Sequence, residues 1–178
     1  LDHAASRFRY VYETYLKDTD AKVYLSIIPD KNYFLAAENG YPALDYERLF
    51  ADMREKTDYA QYIDLTGALS LSSYYRTDTH WRQEKLLPVA KLLADAMGAD
   101  LPEDFTSVTL GTPFSGVYRG QSALPMQPDT LTYLTNDALE GCRVYDYEND
   151  AYLPIYTLDK AGGNDPYEIF LSGPKSLL

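Results

Sequence analysis

The sequence predicts an α/β fold built on a parallel sheet, followed after about residue 100 by a β-rich insertion. Two observations carry this. Strand-like and helix-like segments alternate as far as Gly98, the order that parallel strands need for their crossovers. Beyond Gly98 the apolar runs become short and alternating and are broken by Gly and Pro. The chain has 178 residues, 46% of them apolar and 24% charged, which is enough to bury the core of one domain.

Each element has its own signal. Phe8, Val11, Tyr12, Tyr15 and Leu16 recur at three- and four-residue spacing, which predicts a helix over 4–17. The run KVYLSII at 22–28 is apolar and β-branched and reads as a buried strand that Pro29 and Asp30 end. A short helix starts near 31–37. A second amphipathic helix covers 44–56, with Leu44, Leu49, Phe50 and Met53 inward. YAQYIDL at 59–65 is the second strand. Over 81–97, Leu86, Leu87, Ala90, Leu92, Leu93 and Met97 form a wide apolar face, and Gly98 fits a helix stop. Pro88 inside that face predicts a kink or a start near Leu87. Residues 105–118 and 142–156 supply the later strands, and LPMQPD at 124–129 is a loop. The expected organisation is one incomplete domain: an α/β part over 1–98, an insertion or lid over 99–166, and a lead-in over 167–178.

Composition limits the partners. A net charge of -11 argues against nucleic acid, which needs a basic surface, and against electrostatic attachment to anionic lipid. A neutral glycan is not penalised, and 18 tyrosines offer rings suited to stacking on sugars as well as to filling strands. One cysteine, Cys142, allows neither an internal disulfide nor a cysteine-based zinc site. No apolar run is long enough to span a membrane. The chain starts at Leu1 and stops at Leu178, and both ends read as cuts through a longer protein.

The chemistry concentrates in Tyr74-Tyr75-Arg76-Thr77-Asp78-Thr79-His80-Trp81, between a strand and a long helix, where α/β sheets place their sites. A carboxylate two residues before an imidazole can hold one ring nitrogen and leave the other to act as a base toward a hydroxyl. The pattern also suits a loop aspartate that accepts backbone hydrogen bonds, or two ligands of a metal completed by carboxylates. Tyr75 and Trp81 are candidate sugar-facing aromatics, with core packing as the alternative for both. Arg76 is placed to steer an anionic substrate, and Lys31, after the first strand, to line the same crevice. Tyr118, Arg119 and Gln121 are candidates from the β-rich half. The other histidine, His3, sits at the N-terminus and is read as incidental.

The same octapeptide resembles the signature of the DHHW protein family, a tyrosine-rich stretch followed by T-D-H-H-W. Ile28-Pro29-Asp30-Lys31-Asn32-Tyr33, Tyr62-Ile63-Asp64-Leu65, Gly116-Val117-Tyr118-Arg119-Gly120-Gln121-Ser122-Ala123 and Tyr167-Glu168-Ile169-Phe170-Leu171-Ser172-Gly173 resemble further family segments in the same order. Thr79 departs from the family name, in the D-T-H-W form also found in the related alginate O-acetyltransferases. The resemblance implies an SGNH-hydrolase-like three-layer fold, here incomplete, and a Ser-His-Asp triad with His80 and Asp78 as two members. It places the serine after the histidine, in a D-S motif expected outside this chain. Ser115, Ser122, Ser172 and Ser176 are weaker candidates, none in such a motif. It implies no cofactor, a polysaccharide or acylated glycan as partner, and an exported protein, secreted or membrane-anchored through a segment before residue 1. The expected activity is ester hydrolysis or O-acetyl transfer by the full-length protein and none by the fragment. The alternative is a non-catalytic glycan-binding or envelope-assembly module.

Overall fold

A computed structural model of the chain describes residues 1–170. It divides into two compact units. One comprises Leu1–Leu71 with Pro88–Ala99, the other Ser72–Leu87 with the described residues from Asp100 onward. Residues 72–87 thus belong to the same compact unit as the later part of the chain.

In the first unit, α1 (Asp2–Val11) runs into a π-helical turn at Tyr12–Leu16, so the helix predicted over 4–17 is present but widens at its end. Arg9 fixes it by donating to the Lys56 carbonyl at 2.9 Å and to Asp58 at 2.7 Å. Strand β1 (Tyr24–Leu25) pairs in parallel with β2 (Gln61–Tyr62), with Tyr24 opposite Gln61. Both strands are shorter than the apolar runs that predicted them. Among the described residues the pair has no third strand, and a ladder needs partners as well as β-propensity. Between them lie α2 (Asn32–Asn39), closed by Gly40 at φ +66°, and α3 (Tyr46–Lys56). The Asp45 side chain accepts from Arg48 N and caps α3, which leaves Leu44 outside the helix and 65% exposed instead of inward. Ala36, Phe50, Met53, Ile63 and Leu65 are buried. Helix α4 (Leu87–Met97) starts where Pro88 permits, because a first-turn proline lacks only an amide that would have no partner there. Gly98 ends it at φ +68°.

The second unit rests on an antiparallel pair, β3 (Thr106–Phe114) and β4 (Asp129–Thr135), joined through α5 (Val117–Ser122). The register shifts between Thr109 and Pro113, where the proline has no amide to give the ladder. Helix α6 (Asp137–Gly141) and the hairpin of β5 (Val144–Asp146) with β6 (Ala151–Leu153) follow. Tyr75, Phe114, Leu131 and Ile169 form the core of this unit, with Tyr167 and Phe170 packed on it. The antiparallel character expected after residue 100 is present, and the α/β class holds.

Candidate active site

The site grows from a narrow loop. Arg82 N donates to the Ser73 carbonyl at 2.7 Å, Tyr74 and Trp81 form an antiparallel bridge, and Tyr75 N donates to the His80 carbonyl at 3.1 Å. These contacts pinch 73–82 and leave residues 76–79 as its turn. Asp129, at the start of β4, clamps that turn. It accepts from Arg76 N at 3.0 Å, and its other oxygen accepts from Thr77 N and Thr77 Oγ1, both at 2.7 Å. Thr77 is fully buried. Its hydroxyl also accepts from Gly116 N at 3.0 Å, and its carbonyl accepts from Tyr118 N at 2.9 Å. Asp129→Ala would remove three charge-assisted bonds and strand buried donors of Thr77. The expected loss is about 2–3 kcal/mol in a denaturant titration of the chain, with Asn in between.

Asp78 follows in this fixed frame. One oxygen accepts from His80 N at 2.9 Å and pairs with His80 Nδ1 at 2.5 Å, while the other accepts from Val117 N at 3.1 Å. The Asp78 side chain is 6% exposed and that of His80 53%. Burial pushes the Asp78 carboxyl up, but the amides of His80 and Val117 and the imidazole outweigh it and hold the group below the usual carboxylate range. An ionised carboxylate only accepts, so Nδ1 carries the hydrogen of this bond, and in the neutral imidazole the lone pair is on Nε2. Among the described residues Nε2 makes no hydrogen bond. The backbone that approaches Asp78 must be glycine. A Cβ on Gly116 would lie 2.2 Å from Asp78 Oδ2 and 2.3 Å from its Cβ.

The imidazole face is covered as well. The Tyr167 ring stacks on it with centroids 4.3 Å apart and planes 22° apart. Burial, with the charges of Asp78 and Asp165, pushes the Tyr167 phenol up to about 12, so it is neutral at ordinary pH.

The remaining predicted residues divide. Trp81 is half-buried and lines a cavity of about 260 Å³ with Gln83, Leu86, Ile155, Tyr156 and Tyr167. Tyr75 lies in the core of the second unit. It is fully buried, edge-on to Phe114 at 5.1 Å, because its side of the loop packs into the core. Arg76 is exposed, and its amide serves the Asp129 clamp. Tyr118 is half-buried and Gln121 exposed, both on α5. Arg119 borders a cleft of about 550 Å³ with Asp78, Gly116, Asn164 and Asp165, and donates to Ser115 Oγ at 2.7 Å. Lys31 belongs to the first unit, where it precedes α2, whereas this site lies wholly in the second. Ser172 and Ser176 lie outside the described residues. Among those residues no group of three or more His, Cys, Asp or Glu side chains is arranged to hold a metal ion. Sequence reasoning did not find Asp129 or the role of Tyr167. Asp129 looked like an ordinary loop end, and only the resemblance around 167–173 pointed near Tyr167.

No family model and no curated protein matches the chain. Solved structures do. A DHHW family protein from Eubacterium siraeum superposes with a TM-score of 0.72 over 96% of this chain and 61% of that one, at 20% identity. The fold is that of a DHHW family protein. The O-acetyltransferase domain of Pseudomonas putida AlgJ matches at 0.55 and 24% identity, over 74% of this chain and 54% of its own. Bacillus cereus PatB1 matches at 0.59 and 14%, over 94% and 62%. The DHHW-type fold is thus shared with an O-acetyltransferase domain, and this chain spans 54–62% of the length of the three structures.

Proposed function

We propose that this chain supplies the Asp–His half of an acyl-transfer site. Asp78 orients His80 as general base for a serine hydroxyl that lies outside the described residues. The full-length protein is then an O-acetyltransferase or esterase acting on a cell-surface glycan. The carrying observation is the 2.5 Å contact from His80 Nδ1 to a carboxylate that is buried and held by two amides, while the imidazole itself is half-exposed. The O-acetyltransferase domain among the structures of this fold supports the reaction class.

In this reading Nε2 takes the hydroxyl proton as the serine oxygen bonds to the ester carbonyl carbon, and the carbonyl electron pair moves onto its oxygen. Collapse breaks the bond to the leaving alkoxide, which recovers the proton from the imidazolium. Attack on the acyl-serine by water gives hydrolysis, and attack by a sugar hydroxyl gives transfer. Asp78 holds the tautomer and offsets the charge of the imidazolium throughout. The polar cleft beside Asp78 and the apolar cavity lined by Trp81 are the places for a glycan and an acyl group. The sequence resemblance supports an extracytoplasmic location. No helix of the described residues is long and apolar enough to cross a membrane.

The test is turnover of an activated acetyl ester and an acetylated glycan by the full-length protein. His80→Ala is expected to cost about 10⁴-fold or more in kcat. A rate that His80→Ala leaves unchanged removes the assignment. Glycan binding without ester turnover would favour the non-catalytic module.

A further inference from the structure

We propose that Tyr167 is the positioning residue of this site: its ring fixes the plane of the His80 imidazole and so sets the direction of Nε2. The inference rests on the acyl-transfer reading for its consequence, though not for its geometry. The bond from Nδ1 to Asp78 defines one line, and an imidazole hinged on one hydrogen bond can still pivot about it. His80 is 53% exposed, so general packing does not stop the pivot. A flat ring 4.3 Å away and 22° from parallel does, because tilting the imidazole loses the stacked contact along its whole face.

Tyr167 can act as a stop because it is itself held. Its ring stacks on Phe114 at 5.9 Å, meets Tyr75 edge-on at 6.1 Å and meets Phe170 at 5.0 Å. Tyr75 and Phe114 belong to the core of the second unit, so the chain of rings ties the imidazole to the rigid interior. The backbone is fixed too, since Tyr167 N donates to Asp165 Oδ1 at 3.0 Å. The electron-rich ring face also suits the cationic imidazolium formed during acyl transfer. The groups facing His80 are thus Asp78 at its edge and Tyr167 on its face, with Asp165 acting on the Tyr167 phenol.

The experiment has two arms. In the 178-residue chain, His3→Ala leaves His80 as the one imidazole, and nitrogen-15 NMR reads its tautomer while ring-current shifts read the stack. The parent and Tyr167→Phe are expected to show a single Nδ1–H tautomer with upfield-shifted ring protons. Tyr167→Leu is expected to lose the upfield shift and to show averaged ring signals. Tyr167→Met is the second truncation should Leu unfold the chain. In the full-length protein, Tyr167→Leu should lower kcat about 10- to 100-fold with KM changed less than about twofold, and Phe should restore activity. The proposal is overturned if the Leu or Met variant keeps a single ordered set of His80 ring signals, if Phe fails as Leu does, or if kcat does not move. Failure of the acyl-transfer reading is distinguishable, since His80→Ala would then be silent while the NMR signature of the stack persisted.

Discussion

Asp78→Asn is expected to lower kcat of the full-length protein about 10⁴-fold while leaving KM within a small factor. The hydrogen-bond pattern dictates why. Both carboxylate oxygens are used as acceptors, one by His80 N and Nδ1, the other by Val117 N. Asparagine has one acceptor oxygen and one donor NH₂, so one side must be wrong. If the NH₂ faces Val117, two donors meet in a buried place. If it faces His80, it confronts the His80 amide and drives the imidazole to the tautomer with hydrogen on Nε2, which cannot take a proton from serine. Either arrangement also leaves a buried donor unmet, at about 1–3 kcal/mol in the denaturant midpoint. The pH dependence carries a second signature. Because the Asp78 carboxyl is held below its ordinary range, its contribution to stability is present above the ordinary carboxylate value, about 3.9. It is lost as pH falls through the lowered value, and the Asn variant should lack that part of the acid limb. Equal activity of the two proteins would show that the carboxylate does not serve the imidazole.

What could be read from the residues was local. The Asp-x-His spacing closes a bond within three residues, and the position of Pro88 fixes the start of α4, so both were legible. The parallel pairing of β1 with β2 followed from the order of strands and helices. The length of those strands did not, because apolar runs report burial and not the presence of a partner edge. The side on which a residue falls was equally hidden. Tyr75 and Trp81 flank the same turn and share an aromatic character, yet one is core and the other lines a cavity. Asp129 reaches Thr77 across 52 residues, and nothing in LPMQPD distinguishes a clamp from a solvated turn. Tyr167 meets His80 only after the whole β-rich part has folded back. The chemistry of the pair was thus written locally, and the parts that hold it rigid are long-range contacts without a local period.

Gly116→Ala should be nearly as damaging as removal of the carboxylate, although alanine adds a single methyl. At Gly116 the backbone φ is -81°, so alanine has no conformational objection, and the effect separates cleanly from glycine flexibility. The whole effect is collision. The new Cβ would fall 2.2 Å from Asp78 Oδ2, 2.3 Å from its Cβ and 2.6 Å from its Cγ, so no rotation of the carboxylate alone relieves it. Either Asp78 withdraws, giving up His80, or the 116–117 backbone withdraws. In the second case Thr77 loses the Gly116 amide and Asp78 the Val117 amide. Overpacking of this kind costs about 1–3 kcal/mol, readable in the melting of the 178-residue chain. Both escapes also misplace the imidazole, for which about 10²-fold or more in kcat is expected. Gly141, on α6 with nothing within 4 Å of its would-be Cβ and lining neither the cleft nor the Trp81 cavity, is the control: Gly141→Ala should leave kcat and melting nearly unchanged. If Gly116→Ala behaved like that control, the close approach of α5 to Asp78 would be wrong, and with it the means by which this fold holds a charged carboxylate out of water.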